Sequence, residues 1–229
     1  MRGIPARTLC NSARFYSLLS ITRSGTTLMT RYLDSHPDIL CPGEVDMNFA
    51  YLPDECEPKV VILKNVAITL NNSYPILFGP NRVECGRIIL LRKCSSIIYS
   101  TLKILEKRKG GCDPIAQAVN RVIAERRTLN DSITHSDLVI HYEEMVADID
   151  SLMRKICTYV KVDYYPPALC ESKLRVPDHM RRTPGDKRAQ ESTKIGDITV
   201  IPPAIVTRIL DYMPNYNAVI KELECNYLT

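Results

Sequence analysis

The 229-residue sequence predicts an α/β fold: a central parallel sheet flanked by helices in three layers. Three observations predict it. Short apolar runs of strand length recur at 15–21, 59–63, 87–91 and 137–141, and such runs suit a parallel sheet buried on both faces. Segments with helical periodicity lie between them, and strands alternating with helices build βαβ units. The first run, Phe15 to Ile21, passes through the short turn Thr22-Arg23-Ser24-Gly25 directly into a helical pattern that carries Leu28, Met29, Tyr32 and Leu33.

Taken in order, the expected elements are as follows. A strand at 15–21 leads to a helix at 26–35. The strand 59–63 (Lys-Val-Val-Ile-Leu) is followed by the strand 87–91, which ends at Arg92. Helices are expected at about 95–108 and at 114–128, where Pro114 suits the first turn because its missing N–H would have no helical partner there. The strand 137–141 precedes a helix at 148–160. From 166 to 203 the chain is rich in Pro and charge (Pro166-Pro167, Pro177, Pro184-Gly185, Pro202-Pro203) and reads as irregular. The stretch Ala204 to Leu223 reads as one or two packing helices interrupted at Pro214. One domain over 1–229 accounts for the length. It divides into a lead-in at 1–14, a ligand-binding core at 15–160, and a basic loop with C-terminal helices at 161–229.

The strand–turn–helix at the start is an anion site in outline. Backbone N–H groups of such a turn point at the ligand, and the helix dipole favours negative charge. Arg23 adds a cation, and Ser24, Thr26 and Thr27 add hydroxyls. The arrangement is P-loop-type, but it is not the nucleotide-triphosphate version. With Gly25 and Thr27 set on the second Gly and the Ser/Thr of G-x-x-x-x-G-K-[ST], Thr26 stands in the Lys position and Ser20 in that of the first Gly. The strand 87–91 leads to Arg92 where an NTPase wants a metal-holding Asp. A metal-free phosphate or sulfate-bearing ligand fits these residues better. In parallel sheets ligands bind beyond the carboxyl ends of the strands, and Arg23, Lys64 and Arg92 each follow or end one.

These residues carry a resemblance. Arg23-Ser-Gly-Thr-Thr-Leu-Met29, Leu33-Asp-Ser-His-Pro-Asp38 and Cys41-Pro-Gly-Glu44 resemble the phosphosulfate loop, helix and following segment of sulfotransferases that use 3′-phosphoadenosine 5′-phosphosulfate (PAPS), closest to the tyrosylprotein sulfotransferases and related bacterial enzymes. Leu90-Leu-Arg92 with Ser100 resembles their 3′-phosphate site. Asp137-Leu-Val-Ile-His-Tyr-Glu-Glu144 resembles their later strand and its "YEDL"-like end. The blocks stand in the family's order over about residues 15 to 160, and the last third matches loosely.

The resemblance implies a sulfuryl transferase with roles for particular residues. Arg23, Ser24, Gly25, Thr26 and Thr27 hold the 5′-phosphosulfate, Lys64 faces the bridging oxygen, and Arg92 and Ser100 grip the 3′-phosphate. Tyr142 touches the adenine or supports the site. Glu44 is the general base, with Pro42-Gly43-Glu44 in place of the relatives' Gly-Glu-Glu. His36 is the rival base, because other branches use a His; its place before Pro37 also suits an imidazole capping helix-end carbonyls. Ser192 and Lys194, in the basic stretch with Arg181, Arg182, Lys187 and Arg188, resemble a segment that closes over the 3′-phosphate; the alternative is a solvated loop. Cys94 stands where relatives carry Asp or Pro.

Two other readings remain open: a P-loop kinase, which calls for Mg²⁺ and the missing loop Lys, and a non-catalytic nucleotide-binding or scaffold protein, for which retention of Arg23, Glu44, Lys64 and Arg92 is unexpected. The net charge of +4 suits an anionic ligand, and the sequence has no aromatic-interleaved basic motif of the kind that binds nucleic acid. Nine cysteines, an odd number without a C-x-x-C pair, argue against a disulfide framework or a zinc site and suit a reducing cytosol. No apolar run approaches the roughly 20 residues of a membrane span. The acceptor is expected to bear a hydroxyl, on a small molecule, sugar, lipid or peptide. The acids Glu44, Asp46, Asp54, Glu55 and Glu57 argue against an acidic peptide docking beside them.

Overall fold

A computed structural model describes residues 13–41, 59–66, 84–107, 113–167 and 201–225. Five strands, β1 (Arg14–Ser20), β2 (Ile39–Leu40), β3 (Val60–Val66), β4 (Glu84–Leu91) and β5 (Leu138–His141), form one sheet in the order β2-β3-β1-β4-β5. Every pairing is parallel. The helices are α1 (Thr26–Asp34), α2 (Cys94–Leu105), α3 (Pro114–Ser132), α4 (Tyr142–Ala147), α5 (Ile149–Val160), α6 (Pro203–Tyr212) and α7 (Tyr216–Cys225).

The alternation of side chains along the strands sorts the helices into two layers. Tyr16 and Leu18 of β1 and Ile88 and Leu90 of β4 pack with Met29 and Leu33 of α1, Met145 of α4 and Met153 and Ile156 of α5. Leu19, Ile89 and Leu91 face the other way, onto Ile97 and Ile98 of α2, Val119 and Val122 of α3, Ile209 of α6 and Ile220 of α7. Each such side chain, once fully buried, contributes roughly 1.5–3 kcal/mol. The expected three-layer α/β architecture is the one observed, and β1 lies at its centre because both of its faces are apolar.

Several boundaries differ from the sequence reading. β3 runs on through Lys64, Asn65 and Val66, where the apolar pattern has already stopped, because its backbone stays in register with Leu18, Leu19 and Ser20 of β1. Lys64 is therefore inside a strand, not beyond one. β4 likewise starts at Glu84, before its apolar residues. Its Gly86 lies under Tyr159: a Cβ there would stand 2.5 Å from the tyrosine hydroxyl. Next to it Arg87 makes a two-pronged ion pair with Asp137, Nε to Oδ1 at 2.8 Å and Nη2 to Oδ2 at 2.5 Å, and Nη2 also donates to the Ser132 carbonyl at 2.8 Å. This network fastens β4 to the end of α3 and the start of β5, at the edge of the sheet opposite the strand C-termini. α4 was not foreseen. It starts immediately after β5 and is closed by a capping box in which His141 is the N-cap and Glu144 the third helical residue. The C-terminal helices end and restart around Pro214, as the sequence indicated.

Candidate anion-binding site

The parallel strands bring the C-terminal ends of β1, β3 and β4 to one edge, and the turn after β1 lies there. Ser24 is fully buried, and its hydroxyl donates to the Ile21 carbonyl across the turn. Two residues of the turn are left-handed, Arg23 at φ 67° and Gly25 at φ 93°. Only at Gly25 is the absence of a side chain also demanded by space. A Cβ would lie 2.4 Å and 2.5 Å from Cδ2 and Cε2 of Tyr142. Gly25 is the N-cap of α1, and its carbonyl accepts from Leu28 and Met29 at 3.0 Å and 3.1 Å.

Among the described residues no side chain caps this end of α1, and its first turn holds no acid. The leading N–H groups of a helix have no helical acceptor, so an uncapped end is a donor array with a partial positive charge. The start of α2 is the opposite case: the Lys93 N–H donates to Glu143 at 3.1 Å, and the Cys94 N–H donates to Glu224 of α7 at 2.7 Å. With two carboxylates already seated there, α2 offers an anion its side chains and not its N-terminus.

Cations surround the α1 end. Arg92, in the residue after β4, donates from Nη1 to the Arg23 carbonyl at 3.2 Å, and its guanidinium carbon stands 4.2 Å from the centre of the Tyr142 ring. Its Nε is buried and has no hydrogen-bond partner among the described residues. Arg23 turns toward α2, and its Nε donates to Ser100 Oγ at 3.1 Å. On the other side Lys64 reaches back from β3, and its Nζ lies 3.4 Å from Thr27 Oγ1. Arg23, Arg92 and Ser100 thus form one cluster, and Lys64 with Thr27 forms a second at the helix start.

Tyr142 directly follows β5, near the strand end as the sequence suggested, and opens α4. It is buried between the Gly25 backbone and the Arg92 guanidinium, a position that supports both. His36 is buried as well. Its Nε2 lies 2.9 Å from the Asp163 carbonyl, so that nitrogen carries the proton, and its Nδ1 accepts from the Asp38 N–H at 3.1 Å. The imidazole therefore ties the chain after α1 to the segment after α5; it does not cap α1 carbonyls as expected. Burial, with the Glu224 carboxylate nearby, pushes the Cys94 thiol up to about 12. Glu44, Ser192 and Lys194, with the rest of the basic stretch, lie outside the described residues. Sequence reasoning missed Glu125, which meets the turn at Thr22. The one signal for it was an acid spaced three and four residues from Val122 and Leu129 on the apolar face of α3.

Solved structures share this architecture. A sulfotransferase domain from the curacin biosynthetic pathway superposes with a TM-score of 0.56 at 16% identity, over 88% of this chain and 98% of that one. The chain has the fold of the sulfotransferases. The sulfotransferase domain of the Synechococcus PCC 7002 olefin synthase superposes with a TM-score of 0.55 at 16% identity, over 89% of this chain and 95% of that one. The mouse sulfotransferase SULT7A1, solved with 3′-phosphoadenosine 5′-phosphate (PAP), gives a TM-score of 0.54 at 13% identity, over 92% and 89%. No protein-family model matches the sequence, and no curated protein does. None of the described helices is long and apolar enough to cross a membrane.

Proposed function

We propose that this protein is a sulfotransferase that moves a sulfuryl group from PAPS to a hydroxyl acceptor. The observation that carries the reading is the N-terminus of α1, which no described side chain caps, with Arg23, Arg92, Ser100 and Lys64 gathered around it. An anion with more than one charged group suits two such clusters, and the buried Nε of Arg92, which has no partner among the described residues, is a donor that a phosphate would satisfy. The neighbour solved with PAP has the same fold.

PAPS, when bound, supplies an activated sulfuryl group whose leaving group is a phosphate. The protein's own residues do the rest. The amides of Gly25, Thr26 and Thr27, with Ser24 and Arg23, hold the 5′ end, and Lys64 neutralises charge that builds on the leaving oxygen. Arg92 and Ser100 hold the 3′-phosphate, and Tyr142 keeps Arg92 in place. Glu44 accepts the acceptor's proton as its oxygen bonds to sulfur and the bond from sulfur to the 5′-phosphate breaks. Ser192 and Lys194 add a hydroxyl and a cation for the 3′-phosphate, as the resemblance implies. The cations of the site fill the role a metal has in related phosphoryl transfers. Among the described residues, the thiols of Cys94, Cys157 and Cys225 stand outside any disulfide, which suits the cytosol as the working compartment.

The test is label transfer from sulfur-labelled PAPS to a panel of phenolic, sugar and aliphatic hydroxyls. Transfer that requires Arg23 and Lys64 supports the reading. Absence of transfer to any acceptor, together with failure to bind PAP, sinks it.

A further inference from the structure

Glu125 is a buried acid in the middle of α3, on a helix face that also carries Val122 and Leu129 into the core. A carboxylate in such a place needs partners, and its two oxygens divide them. Oε2 accepts from the Thr22 N–H at 3.0 Å and from the Thr22 hydroxyl at 2.8 Å. Oε1 accepts from Arg121 Nε, one helical turn away, at 2.8 Å. Thr22 is the residue at which the chain enters the turn, just before Arg23 at φ 67° and Gly25 at φ 93°. A non-glycine residue in the left-handed region persists only where its surroundings hold it there. The Ser24 hydroxyl braces the turn from inside, through the Ile21 carbonyl, Ser100 of α2 holds the Arg23 side chain, and Glu125 of α3 grips the turn at its entry through the Thr22 main chain.

We propose that Glu125 is a positioning residue for the anion-binding turn. Its carboxylate clamps Thr22 through both main chain and side chain, so that α3 sets the conformation in which Arg23 reaches Ser100 and the α1 amides face the ligand. Arg121, bound to the other oxygen, offsets the negative charge that the clamp places near an anion site. The inference rests on the reading of that turn as a PAPS site.

Amide hydrogen exchange over 22–27 and calorimetric titration with PAP, on the wild type, Glu125→Ala, Glu125→Gln and Thr22→Val, test it. Loss of two hydrogen bonds to a carboxylate should speed exchange in the turn and weaken PAP binding by about ten- to hundredfold in Glu125→Ala. Glu125→Gln keeps an acceptor for Thr22 and should recover most of the affinity. Thr22→Val keeps the N–H bond and loses the hydroxyl bond, so it should fall between the two. A residue that merely packs α3 would lower the melting temperature and leave the turn's exchange and the PAP affinity alone. Unchanged exchange over 22–27 in folded Glu125→Ala, or in Thr22→Val should the alanine variant not fold, overturns the proposal. Failure of the wild type to bind PAP overturns the reading of the turn instead, and the exchange data still decide whether Glu125 sets its conformation.

Discussion

Replacing Gly25 with alanine strikes the turn and its support together. At φ 93° an alanine pays the left-handed penalty, about 1–2 kcal/mol. Its Cβ would also stand 2.4 Å from Tyr142 Cδ2, so the ring must move, and overpacking of this kind costs about 1–3 kcal/mol more. The sum is a loss of about 2–5 kcal/mol, which for a chain of this size lowers the melting temperature by roughly 4–20 °C. The displaced ring is the one that lies under the Arg92 guanidinium, so PAP binding should fall further than the stability loss alone explains. Urea unfolding measures the first effect and calorimetric titration of the folded protein the second. A double-mutant cycle separates the causes: in a Tyr142→Ala background the alanine at 25 should cost only the backbone part, about 1–2 kcal/mol. The reasoning is refuted if Gly25→Ala costs less than about 0.5 kcal/mol, the usual effect of a surface change, or costs the same with and without the Tyr142 ring.

Three further outcomes are expected. Glu44→Gln should reduce turnover by roughly 100- to 10,000-fold, the range for loss of a general base, with PAP affinity retained; His36→Ala should mainly lower stability, since both imidazole nitrogens have backbone partners, and loss of turnover in the His variant alone would reverse these roles. Arg87→Ala leaves the nearly buried Asp137 carboxylate without its cation, so urea unfolding should show a loss of about 3–5 kcal/mol while PAP still binds the folded fraction; an unchanged midpoint would refute the role given to this pair. Burial pushes the Cys94 thiol up to about 12, well above the ordinary thiol range, so the folded state favours the protonated form. Its contribution to stability should be full below pH 9 and decline as pH rises toward 12. Stability curves of wild type and Cys94→Ala should accordingly converge in that window. Parallel curves would contradict it.

The layers and the strand order's parallel character were legible because β1 and β4 carry short apolar runs, Leu18-Leu19 and Ile88 to Leu91, a pattern that burial on both faces imposes. The gathering of Arg23, Lys64 and Arg92 followed from the same fact, since parallel strands bring their C-terminal residues to one edge. What escaped was decided by tertiary pairing. β3 continues through Lys64 and Asn65 because β1 holds its backbone, whatever the side chains prefer. α4 escaped because its N-cap is His141, where the familiar capping box has Ser or Thr. Tyr142 escaped as a support because its neighbours, Gly25 and Arg92, are distant in sequence. Glu125 escaped for the same reason: a buried acid declares an unseen partner but does not say which, and Thr22 is 103 residues away.

The most direct test of the central claim is calorimetric titration with PAP beside ATP and Mg²⁺, for wild type and Arg92→Ala. The account expects PAP to bind the wild type at micromolar concentration without a metal. It expects the alanine variant to bind about 10- to 150-fold more weakly, the loss of one or two charge-assisted hydrogen bonds. ATP with Mg²⁺ should not match PAP. No PAP binding, or tighter binding of ATP, would contradict the account.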